Sequence, residues 1–134
     1  MAPANETRGE ISLSLEGVDY ILRPSFEAIS AFEAETGFGL LALTGQAEEA
    51  TMTLDTMASI VTHCIRAHGD ATGDQMLKSV NKPKIAALIM GSDGGMLGAI
   101  IRVRLLLVMA ATGGFTASGE PKAAGSNGKT PVAS

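Results

Sequence analysis

Between Ile11 and Leu22 the apolar residues fall on every second position. Ile11, Leu13 and Leu15 alternate with Ser12, Ser14 and Glu16, and after Gly17 come Val18, Tyr20 and Leu22. A period of two places one set of side chains on one face of a strand. Gly17 supplies the positive φ of a tight turn, and a hairpin closed there turns both apolar sets to the same side. Spacing alone leaves two registers open, with Leu15 opposite Val18 or opposite Tyr20. Arg23-Pro24 closes the second strand, because Pro has no amide to continue the ladder. A bare two-stranded hairpin is marginal in water, so the rest of the chain has to cover its apolar face.

The covering elements read as helices. Ser25 is an N-cap, followed by Phe26, Ile29 and Phe32 on one stripe with Glu27, Glu33 and Glu35 facing away, and Gly37 as the stop. This first helix is expected to lie across the hairpin. Gly37 to Ala50, with three glycines and the knot Leu40-Leu41-Ala42-Leu43, predicts one short helical turn. Thr53 caps the best-defined helix. Its apolar face is Leu54, Met57, Ala58, Val61, Cys64, Ile65 and His68, with Asp55, Ser59, Thr62, His63 and Arg66 opposite and Gly69 as its end. Asp74 to Lys82 reads as a helix ending before Pro83, Lys84 to Met90 as a short one, and Gly91 to Gly95 as a break. Met96 to Ala111 is helical and apolar nearly all round, since Arg102 and Arg104 stand about 200° apart on the helical wheel.

The predicted fold class is therefore α+β: an N-terminal β-hairpin packed against a cluster of four to five α-helices, followed by a disordered C-terminal tail. Residues 1–9 are expected to form a flexible N-terminus, 10–111 a single domain, and 112–134 the loose tail, rich in Gly, Ala, Ser and Thr.

Composition narrows the function. With 46% hydrophobic and only 4% aromatic residues, the core has to be built from Ala, Leu, Ile, Val and Met. A net charge of −4 without a dense basic cluster argues against nucleic acid. The charge is uneven: residues 1–50 hold nine acids and two bases, residues 51–134 five acids and eight bases. One cysteine, Cys64, allows no intrachain disulfide, so a reducing cytoplasm is expected. The first residues lack the apolar stretch of a signal peptide. No membrane span is expected either. Asp93, Arg102 and Arg104 interrupt the apolar stretch 85–111, at roughly 2.5–3.5 kcal/mol each in mid-bilayer.

No motif carries chemistry. Cys64 and His68 are four apart and share a helix face, but His63 points about 140° away. The chain has no second Cys and no third His. No spacing joins a nucleophile to a base and an orienting acid. Glu33 with Glu35, and Glu48 with Glu49, sit on polar stretches. Gly91 to Gly98 lacks the Lys-Ser or Lys-Thr of a phosphate loop. The expectation is no enzyme, no metal and no cofactor, and a protein that works by binding other proteins. The helix Met96 to Ala111 holds more apolar surface than one face of a small domain can cover, with Ile101, Leu105 and Val108 as its candidate anchors. Seven methionines suit either an adaptable binding surface or a core short of aromatics.

The stretch Arg8-Gly9-Glu10-Ile11 through Leu15-Glu16-Gly17, then Tyr20 to Arg23, Phe26 to Ile29 and Phe32-Glu33, is familiar as a unit. With Thr36-Gly37, Leu40 to Leu43 and a helix ending Ile65-Arg66-Ala67-His68, it resembles the gene-transfer-agent family of small phage tail proteins. These are described as tail assembly chaperones and sometimes labelled tail tube proteins. The resemblance covers about residues 8–70. It implies a cytoplasmic tail assembly chaperone that binds the tail tape measure and tail tube proteins, with self-association as a further expectation. The alternative it implies is a structural tail component retained in the virion. No catalytic residues carry over.

Overall fold

The computed structural model describes residues 10–122. Two strands, β1 (Ile11–Leu15) and β2 (Val18–Leu22), precede six helices: α1 (Phe26–Thr36), α2 (Leu40–Glu49), α3 (Leu54–Thr72), α4 (Gln75–Lys78), α5 (Lys82–Gly91) and α6 (Gly95–Ala111). The hairpin followed by helices agrees with the α+β expectation. No described helix is long and apolar enough to cross a membrane, and α5 and α6, which together have the length, are bent by 117°.

The hairpin turn is two residues long. Glu16 (φ 48°) and Gly17 (φ 85°) are both left-handed, as a type I′ turn requires. This fixes the register at Leu15↔Val18 and Ile11↔Leu22. Ile11, Leu13, Leu15 and Leu22 enter the core, but Val18 remains 45% exposed. Cover is uneven: β1 packs against α5 and α6, while β2 meets α3. The backbone N–H of Arg23, just past β2, donates to the Cys64 carbonyl. The turn is pinned from the other side, where the Glu16 N–H donates to Ser92 Oγ at 2.9 Å and Ser92 Oγ donates to the Leu88 carbonyl. The break between α5 and α6 therefore holds the hairpin tip.

Helix α1 does not lie across the hairpin as expected. It packs on α3 through Ala28 and Phe32, leaving Phe26 exposed. Helix α3 is central: α1, α4, α5, α6 and β2 all contact it. Its expected polar face is consequently covered too, and Ser59 and Thr62 are buried. Nor does α3 end at Gly69. It runs to Thr72, and Gly73 (φ 73°) caps it with an N–H to the Gly69 carbonyl. Gly69 is instead a packing glycine. A Cβ there would lie 2.7 Å from the Lys78 amide nitrogen and 2.8 Å from Leu77 Cβ.

Three more boundaries differ from expectation. Helix α2 has ten residues rather than one turn, because Glu33 Oε2 on α1 accepts from the Leu40 N–H at 2.8 Å and supplies a cap its own sequence lacks. The expected Asp74 to Lys82 helix is the four-residue α4, capped by Asp74. Pro83 then lies inside the first turn of α5, where its missing N–H costs nothing, and Asn81 is the cap. Finally, the chain does not loosen at 112. Phe115 bridges to Pro121, and the Ala117 carbonyl accepts from the Phe26 N–H at 2.7 Å. Gly119 (φ 85°) passes so near Ser25 that a Cβ would sit 2.7 Å from its nitrogen. The domain thus extends to Lys122. The flexible N-terminus expected for 1–9 and the tail beyond 122 lie outside the described residues.

Three substitutions test this packing. Gly69→Ala gains about 1 kcal/mol of helix propensity, but the Cβ strikes backbone that cannot yield, so a net loss of about 1–3 kcal/mol is expected. Urea unfolding that shows Gly69→Ala as stable as wild type would disprove the close α3–α4 contact. Leu13→Asp should abolish the cooperative transition by burying an unpaired carboxylate, while Ser14→Asp on the exposed side should melt as wild type does.

Candidate protein-binding surface

One cluster of ionisable side chains forms where α1, α3 and α5 meet. Glu35 accepts from the Ser59 hydroxyl and from His63 Nε2 at 3.1 Å, and Lys82 Nζ stands 3.6 Å from its other oxygen and 3.1 Å from Asp55. Serine, histidine and carboxylate are all present, yet the serine donates to the carboxylate and not to the histidine. A nucleophile needs the reverse order, with the imidazole taking the hydroxyl proton. The arrangement holds three helices together. The Ser59 hydroxyl holds the Glu35 carboxyl below its ordinary range, helped by His63 and Lys82 and opposed by desolvation. The Asp55 contact raises the Lys82 ammonium above the usual lysine value.

The candidate metal ligands do not converge. His63 faces Glu35, Cys64 is fully buried on the inner side of α3, and burial pushes its thiol far above the ordinary cysteine range, where it stays protonated. His68 is buried with no partner for Nδ1 among the described residues, and burial, with Arg23 adding to it, keeps its imidazole on the neutral side. Among the described residues no group of three His, Cys, Asp or Glu could hold an ion.

What remains is apolar surface. Helix α6 buries Ala99, Val103, Leu106 and Leu107. The opposite side carries Leu97, Ile101 and Leu105, 77%, 58% and 41% exposed, one helical turn apart. Arg102, on a third side, donates from Nε to the Ser12 carbonyl at 2.9 Å and so shields the outer edge of β1. Helix α2 packs beside α6. Ala50 and Met52 lie near Met96 and Leu97, and Glu48 lies near Ile101, Arg104, Leu105 and Val108, so the two helices run antiparallel. Between them is an open groove of about 460 Å³ lined by Glu48, Ile101, Arg104, Leu105 and Val108.

All three anchors expected from the sequence therefore line one groove, Ile101 and Leu105 exposed and Val108 half-buried. Leu97, four positions before Ile101, extends the same row, a spacing that would have found it. Leu41, 75% exposed, lies on the stripe of α2 that carries Glu48 seven residues on. Nothing in the sequence places α2 beside α6.

These features define a small α+β domain with an exposed, mostly apolar groove along α6. A family model described as phage tail tube protein, GTA-gp10, matches residues 8–90, and the chain belongs to that family. No curated protein and no solved structure matches it. The matched residues run from before β1 almost to the end of α5, so the whole of α6 lies beyond them.

The Glu35 cluster sets a pH dependence. A carboxyl lowered in the folded state stabilises above its ordinary value of 4.5, and the contribution is lost as pH falls through the folded value. Because the side chain is 38% exposed, the effect is screened to about 1 kcal/mol or less. Urea titrations should show Glu35→Gln less stable than wild type at pH 7 and the gap closing below 4.5. An equal gap at both ends would mean that the charge of Glu35 has no part in holding the three helices.

Proposed function

We propose that this chain is a structural component of a phage or gene-transfer-agent tail, joined to neighbouring tail proteins through the α2–α6 groove. The observation that carries the reading is the exposed row Leu97, Ile101 and Leu105, a contiguous apolar patch of the kind that marks a protein contact. The family description, phage tail tube protein, supports a subunit retained in the particle. Such a subunit is made in the host cytoplasm and ends in the virion. It carries no catalytic role, since its polar residues are engaged in holding helices together.

A second reading, an assembly chaperone that covers tape measure or tube proteins and then leaves, is favoured by one observation. The sheet consists of two five-residue strands, β1 and β2, which is little from which to build the continuous wall of a tube. Protein mass spectrometry of purified mature particles separates the two: the structural reading expects this chain at many copies per particle, and the chaperone reading expects none. Under either, Ile101→Asp with Leu105→Asp should fold normally, because both positions are exposed, and should abolish tail assembly. Normal particles from that double variant would show that the groove is not the contact surface.

A further inference from the structure

Before the groove meets any tail protein, its exposed leucines need cover. We propose that the free protein is a two-fold dimer, each copy laying the α6 ridge of Leu97, Ile101 and Leu105 into the α2–α6 groove of the other. The inference rests on the reading of that groove as a contact surface and names its partner in the unassembled state.

Three features favour a second copy. First, the ridge is symmetric about Ile101, with one leucine four residues before it and one four residues after. In an antiparallel pairing Leu97 of each copy therefore approaches Leu105 of the other. Rows at this spacing pack with helix axes crossing at about 50°. Second, the charges are complementary under a two-fold axis. Glu48 on α2 and Arg104 on α6 line the groove, and neither side chain has a hydrogen bond or ion pair among the described residues. An axis through the groove brings the acid of each copy toward the base of the other, giving two ion pairs for one contact, as an isologous interface repeats every contact. Third, Leu97, Ile101 and Leu105 are 77%, 58% and 41% exposed in one row. They form an apolar patch on the order of 300 Å², of the size that often marks a contact, and supply the apolar centre of an interface of about 800 Å² per partner. Arg104, Val108 and Glu48 flank it.

The test is sedimentation equilibrium of the full chain and its variants, with far-UV circular dichroism to confirm folding. Wild type should run at twice the 13.7 kDa chain mass at tens of micromolar. Ile101→Asp should be a folded monomer, and Leu105→Ala should weaken the dimer about thirtyfold, as for loss of a well-packed anchor. The decisive arm uses charge reversal. Glu48→Arg alone and Arg104→Glu alone each face like charges across the axis and should dissociate about tenfold more readily. An equimolar mixture of the two satisfies both ion pairs and should recover the wild-type affinity as a heterodimer. A pairing of Glu48 with Arg104 inside one chain predicts no such rescue.

A monomeric wild type, an Ile101→Asp protein that stays dimeric, or a mixture that stays monomeric would each overturn the proposal. Failure here is separable from failure of the tail reading. A monomeric wild type that still enters tails through the groove removes the dimer alone. An Ile101→Asp monomer that assembles normally removes the groove from the tail contact and leaves the dimer standing.

Discussion

Helix α3 has no side left for water over most of its length. Eleven of its nineteen residues are buried, Ser59, Thr62 and His68 among them, and Met57, Ile60, Val61 and Ile65 are within 1% of full burial. Removing a side chain of that size from water is worth roughly 1.5–3 kcal/mol, so the chain gains most by surrounding this one helix. The other placements follow. Helix α1 is drawn onto α3 and away from the hairpin. Helix α4 is drawn so close that only glycine fits at position 69. The hairpin, denied α1, takes its cover from α5 and α6, and the sharp bend between those two helices lets Ser92 grip the turn.

The sequence carried some of this plainly. The strand alternation, Gly17, the caps Ser25 and Thr53, and the apolar face of α3 are local signals, and each stands where the local rules put it. What it could not carry depends on partners distant in sequence. The Leu40 N–H is capped by Glu33, which belongs to the previous helix, so α2 was legible only as a turn. Ser59 reads as a solvent residue until Glu35 is known to accept its proton. Gly69 reads as a stop because glycine ends helices more often than it admits a neighbouring backbone. Segment 115–121 has no period at all, and its order comes from Phe115 and from two backbone contacts at Ser25 and Phe26.

The binding surface divides in the same way. That α6 holds too much apolar surface for one domain is a statement about a single helix, readable from Met96 to Ala111. Which residues stay uncovered depends on what packs against it. Ala99, Val103, Leu106 and Leu107 turn inward, α2 covers one flank, and Arg102 is committed to the hairpin edge. Arg102 and Arg104, equivalent on a helical wheel except for direction, thus have different duties: one closes the fold and the other lines the groove.

Symmetry decides how one groove could serve both a free dimer and a tail. A two-fold contact uses the same patch on both copies and closes on itself, so nothing further adds to it. A tail that grows along an axis needs the opposite, a patch on one subunit that meets a different patch on the next. On the proposed reading the face cannot be engaged in both at once, so entry into the tail would require the dimer to open, and subunits in solution would be kept from polymerising on their own. The arrangement works only if the dimer is the weaker contact. The groove suits that, being open and edged by charges whose pairing is worth about 1 kcal/mol or less each. A tail partner that fills the groove with its own apolar residues, and adds contacts elsewhere on the domain, would win by mass action at the growing end.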